Sequence, residues 1–274
     1  MHRRSFLLAM SAPLATPALS LLRHPGDRLP RVGLQLYSVR DLMQRDVART
    51  LQQVAAIGYR EVEFAGYFGQ SPARIRGLLN SHGLQAPSSH VSLTDLTGDA
   101  ERIFDAAAAI GHRYLIVPSL DPEDRRTLDD FRQVAEGLNR AGQAARGRGL
   151  RVGYHNHDFE LAPIAGGVPY DLLLSETDPE LVYFEMDFFW MTRGGADPVS
   201  YFERYPGRFH LCHIKDMDRG GEMVDVGAGR IDFRRILHQW KAAGLRHFYV
   251  EHDHPADPLA FARHSYDFLH LLDF

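Results

Sequence analysis

The sequence predicts an α/β protein with one main domain, a closed (β/α)8 barrel. Short runs rich in Val, Ile, Tyr, Phe and Leu alternate about eight times with amphipathic stretches between residues 31 and 274, and such alternation forms parallel sheets. About eight units in roughly 240 residues fit a closed barrel better than an open sheet. A dinucleotide-binding sheet is also disfavoured, because no Gly-x-Gly-x-x-Gly follows the first run.

The predicted strands are short and bounded by Gly, Pro or Asp. In chain order they are Val32–Tyr37, Arg60–Phe64, Gln85–His90, Tyr114–Pro118, Val152–Asn156, Val182–Asp187, Phe209–Ile214 and Phe248–Glu251. Between them, apolar residues recur at helical spacing. The clearest predicted helices are Asp46–Ile57, which Gly58 follows as a stop signal, Thr127–Gly149, Asp232–Ala243 and Asp257–Leu272.

The N-terminus predicts an export signal rather than part of the fold. The string His2-Arg3-Arg4-Ser5-Phe6-Leu7 resembles a twin-arginine signal, and it runs into an apolar stretch ending at Leu14. Small residues follow, so residues 1–22 are expected to be cleaved and the protein to be periplasmic or secreted. The alternative is a disordered basic tail. The barrel is expected to occupy residues 31–274.

Composition excludes several classes of partner. The formal net charge is −4 and the body of the chain has no long basic run, so no nucleic-acid partner is expected. The apolar N-terminal stretch is too short for a comfortable membrane span, so no stable anchor should remain after cleavage. Cys212 is the only cysteine, which rules out an intramolecular disulfide. Exposed helices could support a homodimer.

Polar residues accumulate where barrel strands end, the place at which such barrels build active sites. The first three predicted strands carry Gln35, Glu63 and His90. The later ends read His155-Asn156-His157, Glu185-Met186-Asp187, His213-Ile214-Lys215-Asp216 and Val250-Glu251-His252-Asp253-His254. Imidazole and carboxylate together suit a first-row divalent metal. We therefore expect one divalent ion (Mn, Zn, Co or Fe, with Mg as a further option).

Several segments together resemble the sugar phosphate isomerase/epimerase family. They are Gly153-Tyr154-His155-Asn156-His157-Asp158-Phe159-Glu160, Glu185-Met186-Asp187-Phe188-Phe189-Trp190, His213-Ile214-Lys215-Asp216, Gly227-Ala228-Gly229-Arg230-Ile231-Asp232-Phe233 and Val250-Glu251. They occur in the family's order, and the resemblance spans nearly all of residues 31–274. It implies a xylose isomerase-like barrel.

The resemblance also implies a ligand set, with two departures. In the family, the metal is held at the ends of strands five to eight, which here are His155, Asp187, His213 and Glu251. The strand-five ligand is commonly Glu, whereas this chain has His155 with a second histidine two residues later, and the two could exchange roles. Trp190 stands where many relatives carry His.

The resemblance implies a metal-dependent sugar isomerase or epimerase that abstracts a proton beside a metal-polarised carbonyl. Glu251 is assigned as base as well as ligand, and His157, Lys215 or His252 as acid. Because the strand-five Glu is absent, a symmetric two-Glu epimerase loses support and one-base chemistry gains it. The alternative is a metal-dependent lyase or hydratase acting on 3-keto-glycosides, which an exported enzyme would meet more readily than sugar phosphates.

Substrate contacts are assigned to Gln35, Glu63, His90, Trp190, Lys215 and Arg230. The first three would hydrogen-bond sugar hydroxyls, and Trp190 would offer an apolar face. Arg230 belongs to a glycine-rich loop that suits a lid and could meet an anionic group. Structural pairing or helix capping is the alternative for each polar residue.

The expected partner is a small sugar or glycoside, since no Arg and Lys cluster suggests a dedicated phosphate site. A related class of multi-zinc endonucleases is disfavoured, because it would need more metal ligands and a basic groove for nucleic acid. A third interpretation is a sugar-binding barrel that has lost activity. Such a protein should have lost at least one ligand type, whereas all four positions here carry competent ligands.

Overall fold

The computed structural model describes residues 27–274, so the predicted signal at residues 1–22 lies outside the described part. Its strands are β1 Gly33–Gln35, β2 Glu61–Phe64, β3 Gln85–His90, β4 Tyr114–Val117, β5 Arg151–His155, β6 Val182–Asp187, β7 Phe209–Ile214, β8 Asp216–Met217, β9 Met223–Val224 and β10 His247–Val250. Eight of them are parallel and close in the order β1-β10-β7-β6-β5-β4-β3-β2. The predicted (β/α)8 barrel is confirmed.

Helices cover the outside of the barrel. They are α1 Arg40–Arg45, α2 Val47–Ile57, α3 Pro72–His82, α4 Leu93–Gly98, α5 Ala100–Ile110, α6 Leu128–Arg146, α7 Pro169–Glu176, α8 Phe188–Arg193, α9 Pro198–Arg204, α10 Phe233–Leu237, α11 Trp240–Ala243 and α12 Pro258–Leu271. Two 3-10 turns, Leu36–Val39 and Pro122–Arg125, follow β1 and precede α6. Within residues 27–274, no helix is both long and apolar enough to cross a membrane.

Local sequence signals explain where the longer helices begin. Asp46 precedes α2 and accepts a hydrogen bond from the main-chain N–H of Arg49 at 2.9 Å. Thr127 and Asp130 form a reciprocal capping box at the start of α6. The predicted helices Asp46–Ile57, Thr127–Gly149 and Asp257–Leu272 therefore match α2, α6 and α12 closely, apart from their terminal residues.

The amino-terminal half of the barrel interior is filled by side chains. Tyr114, Ile116, Leu211 and Tyr249 form a buried cluster from three strands. Tyr249 fits because β1 carries Gly33 beside it, where a Cβ would lie 2.5 Å from the Tyr249 ring. This plug leaves only the carboxyl ends of the strands for a site.

The predicted helix Asp232–Ala243 is wrong in one respect, because it is two short helices, α10 and α11. The main-chain N–H of Gln239 bonds to the carbonyl of Ile236, three residues back, which tightens the chain between them. The turn brings the Trp240 ring to 5.8 Å from that of Phe248 on β10.

The loop Asp216–Arg230, expected from sequence to act as a lid, contains ordered structure. Strands β8 and β9 form a small antiparallel hairpin within it. The buried Asp216 carboxylate accepts hydrogen bonds from the main-chain N–H groups of Met217, Gly227, Gly229 and Ile231 at 2.8 to 3.2 Å. One side chain thus holds both ends of the loop together.

Candidate metal centre and active site

A pocket of about 460 Å³ opens at the carboxyl ends of the barrel strands. Among the residues lining it are His90, His155, His157, Lys215 and Glu251. These five residues end or follow four of the predicted strands, with His155 and His157 both at strand five, so the polar strand ends that the sequence singled out do converge here. The rim carries Tyr37 and His254, and the wall includes Val91 and Pro118.

The four predicted ligands lie together. His155 and Asp187 are the last residues of β5 and β6, His213 lies near the end of β7, and Glu251 directly follows β10. One potential ligand atom from each lies within 4.8 Å of the others, and all four side chains are buried. They come from four consecutive strands of the barrel, so the backbone fixes their spacing.

Contacts within this set indicate a site built for a cation. His213 Nδ1 and Glu251 Oε2 lie 2.6 Å apart, and His213 Nδ1 has no hydrogen-bond partner within residues 27–274, while Glu251 Oε2 also lies 2.7 Å from Lys215 Nζ. His155 Nε2 lies 3.3 Å from Asp187 Oδ2. Buried polar atoms without partners are destabilising, and a shared divalent ion would satisfy both atoms. The residues present therefore fit a divalent metal.

Neighbouring groups orient two of the ligands. His155 Nδ1 lies 3.1 Å from the carbonyl oxygen of Pro118, which accepts its proton and leaves Nε2 facing the centre. Asp187 caps α8, with Oδ1 accepting from the main-chain N–H of Trp190 at 3.0 Å. The main-chain N–H of Asp187 itself donates to Asn156 Oδ1 at 3.1 Å, and Tyr170 donates to the same oxygen. Oδ2 of Asp187 is thereby directed inward.

Lys215 is the cation of the site. Its side chain is 3% exposed, and Nζ lies 3.0 Å from Asp187 Oδ2, 2.7 Å from Glu251 Oε2 and 2.9 Å from Asp253 Oδ1. Burial alone would lower the pKa of Lys215, but Asp187 and Glu251 raise it well above its ordinary value. Lys215 is therefore held as an ammonium group against the candidate ligands.

The carboxylates are correspondingly held as anions. Burial alone would raise the pKa of Asp187, yet the Lys215 ammonium and His155 lower it to about 2. The pKa of Glu251 is lowered well below its usual range by Lys215 and His213, again against the effect of burial. Anionic oxygen is the form in which carboxylates bind divalent cations.

His157 lies on the pocket wall among aromatic rings. Its ring centroid is 5.1 Å from that of Trp190, and it stacks on Phe159 at 5.7 Å. Burial and the neighbouring His155 lower the pKa of His157 to about 2, so its imidazole is neutral. The Trp190 ring also lies 5.7 Å from Lys215 Nζ.

Two of three predicted substrate contacts near the ends of the first strands lie deeper than expected. Gln35 and Glu63 are completely buried, and of the three only His90 lines the pocket. Gln35 Nε2 donates to Glu63 Oε2 at 2.8 Å, so this pair binds within the protein. Both lie beneath the pocket floor, where Glu63 contacts the candidate ligand His213 and Gln35 contacts Glu63.

Two other predicted residues are not brought to the pocket. Arg230 is exposed, and its Nε donates to the main-chain carbonyl of Asp218 at 3.2 Å. His252 packs its ring against Phe261 of α12 at 5.4 Å. Neither is among the described residues that line the pocket, and the predicted substrate contact Trp190 is not among them either.

Sequence reasoning gave no role to three residues that build the site. Asn156 and Tyr170 hold Asp187, as described above. Glu185 lies two residues before Asp187 on β6 and is completely buried, with Oε2 at 2.9 Å from His90 Nε2. A polar residue in the middle of a buried strand was the available signal for Glu185. Nothing in the sequence distinguished its role from that of Asp187.

A comparison with known families places this site in context. Residues 51–271 match the family described as Xylose isomerase-like TIM barrel. The chain belongs to this family. The resemblance predicted from the sequence is therefore confirmed at that level, together with the fold.

Several named proteins are similar to this chain over most of its length. It is 28% identical over 213 residues to an inosose dehydratase of Geobacillus kaustophilus, covering 69% of this chain and 68% of that protein. It is 24% identical to an inosose dehydratase of Lacticaseibacillus casei over 71% of this chain and 76% of the relative. A solved sugar phosphate isomerase/epimerase of Parabacteroides distasonis has 27% identity and a TM-score of 0.76, covering 93% of this chain and 96% of that one.

These relatives bear on the predicted activity. The broad expectation of a sugar-processing enzyme family is supported, since the named relatives are enzymes of that kind. The narrower expectation of an isomerase is less well supported than the lyase alternative, because the curated relatives are named as dehydratases.

Proposed function

We propose that this protein is a metal-dependent dehydratase acting on a neutral keto-polyol, either a keto-cyclitol or a keto-sugar. The observation that carries the proposal is the pairing of Glu251 Oε2 with Lys215 Nζ at 2.7 Å on one side of the pocket. A base and an acid side by side suit removal of a proton and a hydroxyl from adjacent carbons. Similarity to inosose dehydratases supports the same reaction class.

The residues that would hold the metal are His155, Asp187, His213 and Glu251. When bound, a divalent ion would polarise the substrate carbonyl and stabilise the negative charge that develops on its oxygen. The two imidazoles and two carboxylates suit Mn, Fe, Co or Zn. Each donor atom is buried, so water has limited access to compete for it.

The protein's own residues account for the proton transfers. Glu251 takes the proton from the carbon beside the carbonyl, and that electron pair forms a double bond to the next carbon. The carbon–oxygen bond at that next carbon breaks, and Lys215 supplies a proton so that the hydroxyl leaves as water. The neutral His157 lines the pocket and could hydrogen-bond a substrate hydroxyl, and the Trp190 ring packs behind it at 5.1 Å.

The structure gives less support to an epimerase with two carboxylate bases. Epimerisation returns the proton to the opposite face and therefore needs a second base across the substrate. The strand-five position that would supply it is His155. Its Nδ1 is engaged by the Pro118 carbonyl and its Nε2 lies 3.3 Å from Asp187, so both nitrogens face protein groups.

The pocket favours an uncharged substrate. Among the described residues that line it there is no arginine. Lys215 is already paired with Asp187, Glu251 and Asp253. A phosphate group would meet these carboxylates without a free cation to balance it, and like charges at such distances repel.

Proton NMR in D2O is the direct test. The mature protein loaded with Mn is mixed with a keto-inositol, a 3-keto-sugar or a 3-keto-glycoside. We expect loss of the ring proton beside the carbonyl and accumulation of an unsaturated or enolised product, and no change after chelation. If a 3-keto-glycoside released its alcohol instead of water, the protein would still be a lyase, but its leaving group would be an alcohol as well as water.

Two outcomes of the same experiment would contradict the proposal. An isomer or epimer carrying deuterium beside the carbonyl would establish the isomerase class named for the Parabacteroides distasonis structure. Binding of the keto-sugar with no exchange and no product, from metal-loaded protein, would indicate a sugar-binding barrel without activity.

Export remains part of the proposal and is supported by residues 1–22 alone. The twin-arginine-like string and the apolar stretch after it are typical of an exported precursor. Free keto-sugars and glycosides are also met outside the cytoplasm. Cell fractionation followed by N-terminal sequencing would test it, and a full-length protein in the cytoplasmic fraction would contradict it.

A further inference from the structure

We propose that Glu63 is a positioning residue that fixes which nitrogen of His213 faces the metal. The inference rests on the proposed metal centre, and it replaces the substrate contact that the sequence suggested for Glu63. Glu63 lies on β2 and His213 on β7, and both side chains are completely buried. The two meet inside the barrel, directly below the pocket.

The two nitrogens of His213 face different groups. Nε2 lies 2.7 Å from Glu63 Oε2 with hydrogen-bond geometry, and 3.1 Å from Glu185 Oε2. Nδ1 faces Glu251 at 2.6 Å and Asp187 at 4.0 Å, without a hydrogen bond to either. A neutral imidazole has one N–H group and one lone pair. Glu63 accepts the N–H at Nε2, so the lone pair at Nδ1 points into the ligand set.

Glu63 is itself held in place by neighbouring strands. Ser88 of β3 donates its hydroxyl to Glu63 Oε1, and Gln35 of β1 donates to Oε2 at 2.8 Å. Gln35 is fixed in turn, since its Oε1 accepts from the main-chain N–H of Tyr37 at 3.0 Å. The carboxylate therefore has little freedom to turn away from His213.

Such an arrangement explains why a carboxylate is buried in the barrel, where branched apolar side chains are usual. A carboxylate that accepts the outer N–H of a metal-bound histidine orients the ring and increases its basicity. Glu185 contributes less to this, because one of its oxygens has no hydrogen-bond partner within residues 27–274 and the other contacts His90 at 2.9 Å.

A second metal ion is the competing explanation of the same cluster. One atom each from Glu63, His90, Glu185 and His213 could also bind an ion, and their contacts of 2.7 to 3.4 Å approach the spacing of about 3.3 Å expected around tetrahedral zinc. Both sites need His213, however. A neutral imidazole offers a lone pair at one nitrogen only, so both sites could be filled together only if His213 lost its remaining proton and bridged the two ions.

The chain offers a matched control. Glu61 lies two residues before Glu63 on the same strand, is also buried, and contacts His247 at 2.9 Å. That pair lies at the amino ends of the strands, away from the pocket. Glu61→Gln removes a carboxylate–imidazole contact of the same kind without touching the candidate ligands.

The experiment measures Mn and Co binding to the mature protein by calorimetry, together with the visible spectrum of the Co form and metal content by elemental analysis. We expect one ion per chain, metal affinity lowered roughly 10- to 100-fold in Glu63→Ala, and a smaller loss in Glu63→Gln. The Co spectrum should change in both variants. Glu61→Gln should bind metal like the unaltered protein.

Three results would overturn the inference. The first is equal metal affinity in Glu63→Gln, Glu63→Ala and Glu61→Gln. The second is two ions per chain with loss of one of them in the Glu63 variants, which would establish the second metal site. The third is a protein that binds no metal. If metal binds as expected but no keto-polyol is dehydrated, only the proposed function fails.

Discussion

The two ends of the barrel interior bury ionisable groups in different ways. At the amino end, His247 contacts Glu61 at 2.9 Å, and His210 lies 3.1 Å from the Tyr114 hydroxyl and stacks on Tyr183 at 3.9 Å. Burial lowers the pKa of His210 to about 3, so it is neutral there. The imidazoles at this end have local partners, whereas the buried Tyr249 hydroxyl has none within residues 27–274.

At the carboxyl end, Glu63, Glu185, Asp187 and Glu251 are all buried around Lys215 and two histidines. Four carboxylates face one permanent cation, Lys215, and His213 Nδ1 lies 2.6 Å from Glu251 Oε2 without a hydrogen bond. Burying this much negative charge is destabilising unless positive charge balances it, and the carboxylates raise the pKa of His90 and His213 accordingly. A divalent cation bound by the same groups would balance the charge as well. The contrast separates the part of the barrel that supports the fold from the part that supports chemistry.

The strongest test of this contrast compares one glutamate from each end. Glu251→Gln should lower turnover by about 10²- to 10⁴-fold, the range for loss of a general base, while leaving the far-UV circular dichroism spectrum unchanged. Glu61→Gln should leave turnover within about twofold, because its partner His247 lies outside the pocket. Steady-state kinetics decide the matter, and near-normal turnover in Glu251→Gln would remove its role as base.

Two buried carboxyl groups at the carboxyl end of the barrel, those of Glu160 and Asp187, have pKa values shifted in opposite directions. Burial raises the pKa of Glu160 to about 7, although hydrogen bonds from the Tyr154 hydroxyl and the His157 main chain oppose the shift. Asp187, beside Lys215, is shifted the other way. The protonated form of Glu160 is therefore favoured by folding.

The sign of the pH dependence follows. The stabilisation by protonated Glu160 is complete below about pH 4.5 and is lost as pH rises through about 7. The free energy of unfolding should fall by at most about 3 kcal/mol over that interval, at 1.36 kcal/mol per pKa unit. Urea unfolding of Glu160→Gln should lack this contribution. Identical pH profiles for the two proteins would contradict the assignment.

The smallest expected effect concerns Arg230. Its guanidinium donates to the Asp218 carbonyl and lies outside the pocket lining, so Arg230→Ala should change the KM for a keto-polyol by less than about twofold. The free energy of unfolding should change by about 0.5 kcal/mol or less. A large rise in KM would instead show that this loop reaches the substrate during turnover.

Much of the fold could be predicted because the signals were local. The predicted strands differ from β1 to β7 and β10 by a few terminal residues, since each is a short apolar run bounded by turn residues. The four candidate ligands came together because parallel strands in a barrel end on one rim. The break between α10 and α11 was missed, since both sides of it keep helical spacing.

The depth of each polar residue could not be predicted. Glu63 and His90 both looked like rim residues, yet one is sealed inside and the other lines the pocket. Strand tilt and the shift in register between β2 and β3 decide this, and neither is encoded in a local pattern. Glu185 was not assigned a role because Asp187, two residues later on the same strand, carried the recognisable motif.

The carboxylate of Asp216 bears on how this enzyme could change over evolutionary time. Because one side chain gathers the N–H groups at both ends of the loop, the hairpin tip around Gly221 contributes little to holding Lys215 in place. Gly229, by contrast, cannot be replaced without a clash, since any side chain there would collide with Asp216. Insertions at the tip are therefore expected to be tolerated with little effect on the site, because no residue of this loop lines the pocket.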